Sequence, residues 1–163
     1  VRKVLFLPDQ FLASWVASQT DVEIVSWNGS CEVHERFTGQ ELADFRTTNP
    51  GIQIIAHPEC PPDVLAEADY VGSTSGMAGW VESRQPEQVM MVTECSMADN
   101  VASASPNTEF LRPCNMCPHM KRITVHNIRA ALEDLVHEVH VDPTVAAGAR
   151  AAVEAMLAVT PRR

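Results

Sequence analysis

The 163-residue chain has no apolar run long enough to cross a bilayer as a helix, which excludes a helical membrane anchor within it. It is short of positive charge. Twelve Lys and Arg stand against 21 Asp and Glu, a formal net charge of −9. That balance excludes the basic footprint with which proteins neutralise nucleic-acid phosphates, and otherwise favours solubility. Val1–Leu7 faintly imitates a secretory signal, but Pro8-Asp9 ends its apolar part too early. No Gly-Lys-Ser/Thr closes the glycine-bounded loop Gly72–Gly76, which excludes a Walker phosphate loop. Five cysteines make an odd count without the spacing of a small disulfide scaffold, so a reducing, cytoplasmic setting is expected, with thiols kept for chemistry or packing.

What is present is a core. Hydrophobic residues make up 45% of the chain, enough for one domain or two small ones. Val4–Leu7 is a continuous apolar run, read as a strand buried on both faces. Strands are also expected at 22–27, 52–56, 70–71, 88–92, 109–111 and 138–141. Helices are expected between them, including one from the capping box Thr38-Gly39-Gln40-Glu41 that turns Leu42 and Phe45 inward. Thr124 caps a long helix carrying Val125, Ile128, Leu132 and Leu135 on one face. A last, alanine-rich helix starts near Pro143 and runs through about Val159. This alternation predicts an α/β protein of short parallel sheets with helices on both sides, built as repeated three-layer α/β/α units. In such sheets ligands sit at the carboxyl ends of strands. Four loops qualify: 28–37, 57–60, 72–76 and 93–96.

Chemistry concentrates in these loops and in Arg112–Lys121. Cys114-x-x-Cys117-Pro118 offers two soft thiolate ligands, and Cys-Pro recurs at the end of iron–sulfur ligand loops. The spacing alone leaves metal site, redox dithiol and coincidence open. Cys31, after Gly29-Ser30, is either an exposed thiol or a small buried hydrophobe. His34 is a ligand, a substrate contact or an ordinary loop histidine. His57-Pro58-Glu59, directly after an apolar strand, sets a base beside a carboxylate, a pair suited to proton transfer. The bland alternative makes Glu59 a carboxylate at a helix N-terminus. Gly72-Ser73-Thr74-Ser75-Gly76 offers hydroxyls and amides to an anion, or only a cap from Ser75 or Thr74. Cys60 and Cys95 read as structural, and Met116 and Met120 as packing residues.

Leu5–Gln10, Trp27-x-Gly29-x-Cys31-x-Val33-His34, His57-Pro58-Glu59-Cys60, Gly72–Ser75, Thr93–Met97 and Cys114-x-x-Cys117-Pro118-x-Met120-Lys121 together resemble the quinolinate synthases of NAD biosynthesis. The motifs span the chain in order. The resemblance implies a transferase that condenses iminoaspartate with dihydroxyacetone phosphate, giving quinolinate, phosphate and water. It implies three α/β/α domains in pseudo-threefold arrangement around a cavity holding a [4Fe-4S] cluster, one cysteine ligand coming from each. Cys31 and Cys117 match two of those ligands. His57 and Glu59 match a substrate-contacting pair with the glutamate as acid/base. Ser73 and Thr74 match hydroxyls that bind a substrate carboxylate, and His34 is carried over as a further substrate contact. The partners implied are the two small substrates and L-aspartate oxidase, the source of iminoaspartate, with no nucleic acid and no membrane.

The family's first ligand cysteine lies upstream of the Leu-Pro-Asp motif and has no counterpart here, and Val1 is not a methionine. The chain therefore reads as about the C-terminal half. Residues 1–30 belong to the second α/β unit, 31–113 form the third, and 114–163 form a tail packing on the missing first. The isolated chain is expected to be inactive. The competing expectations are a non-catalytic remnant or partner-dependent subunit that binds small anions, and a thiol-redox module acting through Cys114 and Cys117.

Overall fold

The computed structural model describes residues 2–159, and the chain divides at Lys121 into two compact units. The first unit runs β1 (Lys3–Phe6), α1 (Gln10–Ser18), β2 (Glu23–Ser26), α2 (Gly39–Thr48), β3 (Gln53–Ala56), α3 (Pro62–Ala66), β4 (Tyr70–Val71), α4 (Thr74–Arg84), β5 (Gln88–Val92), α5 (Cys95–Ala104) and β6 (Glu109–Leu111). All pairings are parallel. β1 pairs with β2, and a second sheet has the order β4-β3-β5-β6. None of the helices among the described residues is long and apolar enough to cross a membrane.

The core follows from the two-residue period of a strand. Ile54, Ala56, Met90 and Val92 point to one side of the second sheet and meet Phe37, Leu42, Cys60 and Val64. Ile55, Val89 and Met91 point to the other and meet Met77, Val81, Ala98 and Val101. Helices thus cover both faces, which is the three-layer arrangement expected. β3 and β5 are the central strands. Each of their fully buried aliphatic side chains contributes about 1.5–3 kcal/mol, so this layer dominates the unit's stability. The capping box at Thr38 is formed, and Leu42 is buried while Phe45 stays 36% exposed.

Two expectations fail, and each depends on neighbours rather than on the segment itself. β1 is not buried on both faces: Leu5 is 73% exposed and Leu7, just after it, 68%. Among the described residues its sheet has two strands, β1 and β2. The strand expected at 138–141 is absent. An apolar stretch becomes a strand only where a neighbour completes its hydrogen bonds.

The second unit holds α6 (Val125–Glu133) and α7 (Pro143–Val159). Thr124 and Asn127 cap α6 reciprocally. The helix is shorter than expected because Leu135 adopts φ 52, the left-handed conformation that terminates helices. Val125, Ile128 and Leu132 on α6, and Val145 and Val153 on α7, are all exposed.

Asp9 ties the first sheet together. It is 1% exposed. Its Oδ1 accepts from the amides of Phe11 and Leu12 at 2.7 and 2.8 Å, capping α1, and its Oδ2 accepts from the Cys31 amide at 2.8 Å. The Gln10 amide donates to the Gly29 carbonyl at 2.8 Å beside it. Asp9→Ala is expected to cost about 1–2 kcal/mol in urea denaturation, the usual loss for a helix cap. It should also speed hydrogen exchange at the Cys31 amide. Unchanged exchange there would show that Asp9 does not anchor the cysteine loop.

Candidate functional site

Parallel strands send every strand-to-helix connection to the same sheet edge. In the second sheet that edge receives 57–60 after β3, 72–73 after β4, 93–94 after β5 and 112–117 after β6. The Cys31 loop, after β2, joins them through a 3-10 turn over His34–Arg36, whose start is fixed by the Glu35 amide donating to the Cys31 carbonyl at 3.0 Å.

The structure brings Cys31, His34, His57 and Glu59 together. His34 Nδ1 lies 3.0 Å from Glu59 Oε2, and His57 Nδ1 lies 3.8 Å from the same oxygen. The Glu59 oxygen sits off the ring N–H axis of His34, so this is a close charge–dipole contact rather than a straight hydrogen bond. The two imidazoles stack with centroids 4.6 Å apart and planes 14° apart. On its far side His34 Nε2 is 3.0 Å from Thr93 Oγ1, with both residues buried. Donor atoms of Cys31, His34 and Glu59 all lie within 4.8 Å of one another, a spacing that also suits a metal ion. Glu59 therefore faces the histidines. It does not cap α3, whose N-terminus carries no side-chain cap.

The electrostatics assign states. The His34 imidazole holds the Glu59 carboxyl below its ordinary value, outweighing the opposing effect of burial; His57 and the Cys31 thiol add to the lowering. Burial lowers His57, and the neighbouring His34 lowers it further, against the pull of Glu59 and Asp9. The Glu59 amide donates to His57 Nδ1 at 3.3 Å, so that nitrogen carries the lone pair and the proton of neutral His57 sits on Nε2. The site presents an ionised carboxylate beside a neutral imidazole, a base and a proton donor side by side.

The loop carrying Cys117 is stitched to its neighbours. Asn115 bridges to Glu94, accepts from the Cys95 amide at 3.3 Å and donates from Nδ2 to the Val33 carbonyl at 3.5 Å. His119 Nε2 lies 3.1 Å from Glu32 Oε1, next to Cys31. Lys121 Nζ donates to Ser96 Oγ and lies 3.9 Å from Glu94. Cys31 and Cys117 are free and half-buried. Cys60 is sealed in the core, where burial pushes its thiol up to about 12.

Other expectations are corrected. Cys114 is not paired with Cys117; it is bonded to Cys95. Cys95 stands five residues past Met90 and Cys114 three past Leu111, and Met90 pairs with Leu111 across β5 and β6. The capping hydroxyl of α4 is that of Ser73, accepting from the Gly76 amide at 3.1 Å, rather than that of Ser75 or Thr74. Ser73 and Thr74 share the sheet edge with the cluster but are exposed, and no hydrogen bond joins them to it. Sequence reasoning placed Asp9 in a turn and Thr93 in a candidate loop, and gave neither a bonding partner. Their signal was present, since each polar residue closely follows an apolar strand.

The sequence profile of the quinolinate synthetase A protein family matches residues 1–158. Similar proteins include quinolinate synthase 2 of Mesorhizobium japonicum, 57% identical over 159 residues, which are 98% of this chain and 49% of that protein. The quinolinate synthase of Xylella fastidiosa is 55% identical over 98% of this chain and 47% of its own length. That of Agrobacterium fabrum is 55% identical over 96% and 46%. The chain spans about half the length of these relatives.

Two outcomes are expected. Without reductant, three thiols should react under denaturing conditions, and five after reduction, with peptide mapping linking Cys95 to Cys114. A Cys114–Cys117 link would contradict the pairing. His57 is lowered from 6.5, so the unfolded chain binds more protons than the folded one as pH falls below that value. Stability should be full above about pH 6.5 and fall as acid is added through the window beneath it. His57→Gln should flatten this slope in melting curves, and an unchanged slope would contradict the burial of a neutral His57.

Proposed function

The chain belongs to the quinolinate synthetase A family, and on that premise we propose that its clustered loops form part of a site that condenses iminoaspartate with dihydroxyacetone phosphate to quinolinate. The observation that carries this reading is the Glu59 carboxylate, held ionised against two stacked histidines beside a free thiol. The relatives are about twice as long, so the complete site draws on residues outside these 163. By itself this chain does not make quinolinate.

The donor set supports two ligands of a [4Fe-4S] cluster. Cys31 and Cys117 are free and reachable, whereas Cys60 is too buried to ionise and Cys95 and Cys114 are linked to each other. The third thiolate comes from outside this chain. When bound, the cluster supplies a Lewis acid to a substrate oxygen.

The chain's own residues do the rest. Glu59 takes a proton from carbon or nitrogen during ring formation and returns it to a leaving oxygen. Neutral His57 donates a hydrogen bond from Nε2 to the substrate, and His34 keeps the carboxylate in place. Ser73 and Thr74, on the same edge, receive a substrate carboxylate with the first amides of α4. Residues 1–30 complete a second α/β unit, 31–113 form the third, and 114–163 pack against a first unit outside this chain. The uncovered apolar side chains of β1, α6 and α7 support that arrangement. The setting is cytoplasmic, with L-aspartate oxidase supplying iminoaspartate. Cys114 is already bonded to Cys95, so nothing favours a Cys114–Cys117 redox module.

In the full-length polypeptide, Glu59→Gln should lower quinolinate formation by roughly 10²–10⁴-fold, the usual scale for losing a general base, with iron content unchanged. A rate within twofold of wild type would remove Glu59 from the mechanism.

A further inference from the structure

His34 Nδ1 is a buried nitrogen with no hydrogen-bond partner among the described residues, on a side chain whose residue is 7% exposed. Such an atom needs an explanation, and an ion is one. Ligand atoms surround it. Glu59 Oε2 stands 3.0 Å away, and the Cys31 thiol reaches the same carboxylate. Donor atoms of the three residues lie within 4.8 Å of one another. Around a tetrahedral ion with bonds of about 2.0–2.3 Å, ligand atoms stand about 3.3–3.6 Å apart. Small side-chain rotations therefore close all three onto one ion. The mixture of donors selects that ion. Mg²⁺ and Ca²⁺ ask for oxygen, whereas thiolate, imidazole and carboxylate together suit Zn²⁺, with a fourth position left to water. The frame is held in advance. Asp9 Oδ2 accepts from the Cys31 amide at 2.8 Å, and the His57 ring stacks on His34. The Thr93 hydroxyl, 3.0 Å from Nε2, accepts the N–H that His34 carries there once Nδ1 binds a metal.

We propose that Cys31, His34 and Glu59 form a mononuclear Zn²⁺ site, filled when the iron–sulfur cluster is not, and that the ion blocks cluster assembly by taking Cys31. Binding forms the Zn–S bond and releases the Cys31 thiol proton to water. Cys31 and Glu59 are half-buried, so the ion can enter and leave. The blocking effect rests on reading Cys31 as a cluster ligand; the ion site itself does not.

The test uses the full-length polypeptide, prepared anaerobically without iron or sulfide and titrated with Zn²⁺ against a chromophoric chelator. Zinc X-ray absorption of the loaded wild type should show one sulfur at about 2.3 Å, with nitrogen and oxygen at about 2.0–2.1 Å. Cys31→Ser, His34→Gln and Glu59→Gln should each weaken binding at least about 100-fold, since losing a ligand costs more than the roughly 10- to 100-fold of an outer-shell partner. Cys117→Ser should bind as tightly as wild type. Two or more sulfur ligands, or lost binding in Cys117→Ser, would place the ion among the cysteine loops and overturn the proposal. Undiminished affinity in His34→Gln and Glu59→Gln would overturn it too. If a variant fails to fold, the wild-type absorption spectrum still counts the sulfurs and decides the site.

Reconstitution with iron and sulfide separates the two claims. The zinc-loaded polypeptide should acquire no cluster, read as iron and acid-labile sulfide, until a chelator removes the ion. A one-sulfur zinc site with unhindered cluster assembly would retain the ion site and sink both the blocking claim and Cys31 as a cluster ligand. A zinc site of several sulfurs that still blocks assembly would retain Cys31 as a cluster ligand and sink the mononuclear site.

Discussion

The contact between Glu59 and His34 is the constraint on which the rest of the site depends. A carboxylate and an imidazole at 3.0 Å, largely withdrawn from water, hold only if both loops are fixed and the remaining polar atoms have partners. Each demand is met by a different strand. β3 delivers Glu59 and His57, β5 delivers Thr93 behind His34, and Asp9, beyond β1, holds the amide of Cys31. The parallel sheets make this convergence possible, because they bring all these connections to one edge. The apolar layers on both faces of β3 and β5 keep that edge rigid.

The same economy explains the cysteines. Five thiols are placed in three chemical situations. Cys60 is packing, immobilised in the core with its ionisation suppressed. Cys95 and Cys114 are a staple joining the loop after β6 to the start of α5. Cys31 and Cys117 remain available, and the Asn115 and His119 contacts tie the loop of one to the loop of the other. A soft metal group asks for this: reachable thiolates on loops whose motion is limited by neighbours.

Much of this was legible in the residues. The β5 and β6 segments and α7 fall at the expected bounds, since apolar runs between turn signals, and a proline followed by alanines, are strong local cues. His57 and Glu59 were legible because Pro58 follows an apolar strand. The larger misses are non-local. The apolar run of β1 predicts a wish for burial, but only the fold says whether a covering layer exists in this unit. Residues 138–141 have strand composition and no strand to pair with. Thr93 is only one residue of a strand-end loop until β5 is set beside the His34 loop. The Cys95–Cys114 bond needs β5 and β6 paired, which a neighbouring Cys114-x-x-Cys117 hides.

The central claim is that Cys31 and Cys117 are cluster ligands while Cys60 is not. The most direct test is the iron and acid-labile sulfide content, with the Mössbauer spectrum, of the full-length polypeptide purified anaerobically with each cysteine replaced by serine in turn. The account predicts a [4Fe-4S] signal in wild type and Cys60→Ser, and its loss in Cys31→Ser and Cys117→Ser. An intact cluster in either of the last two would contradict it.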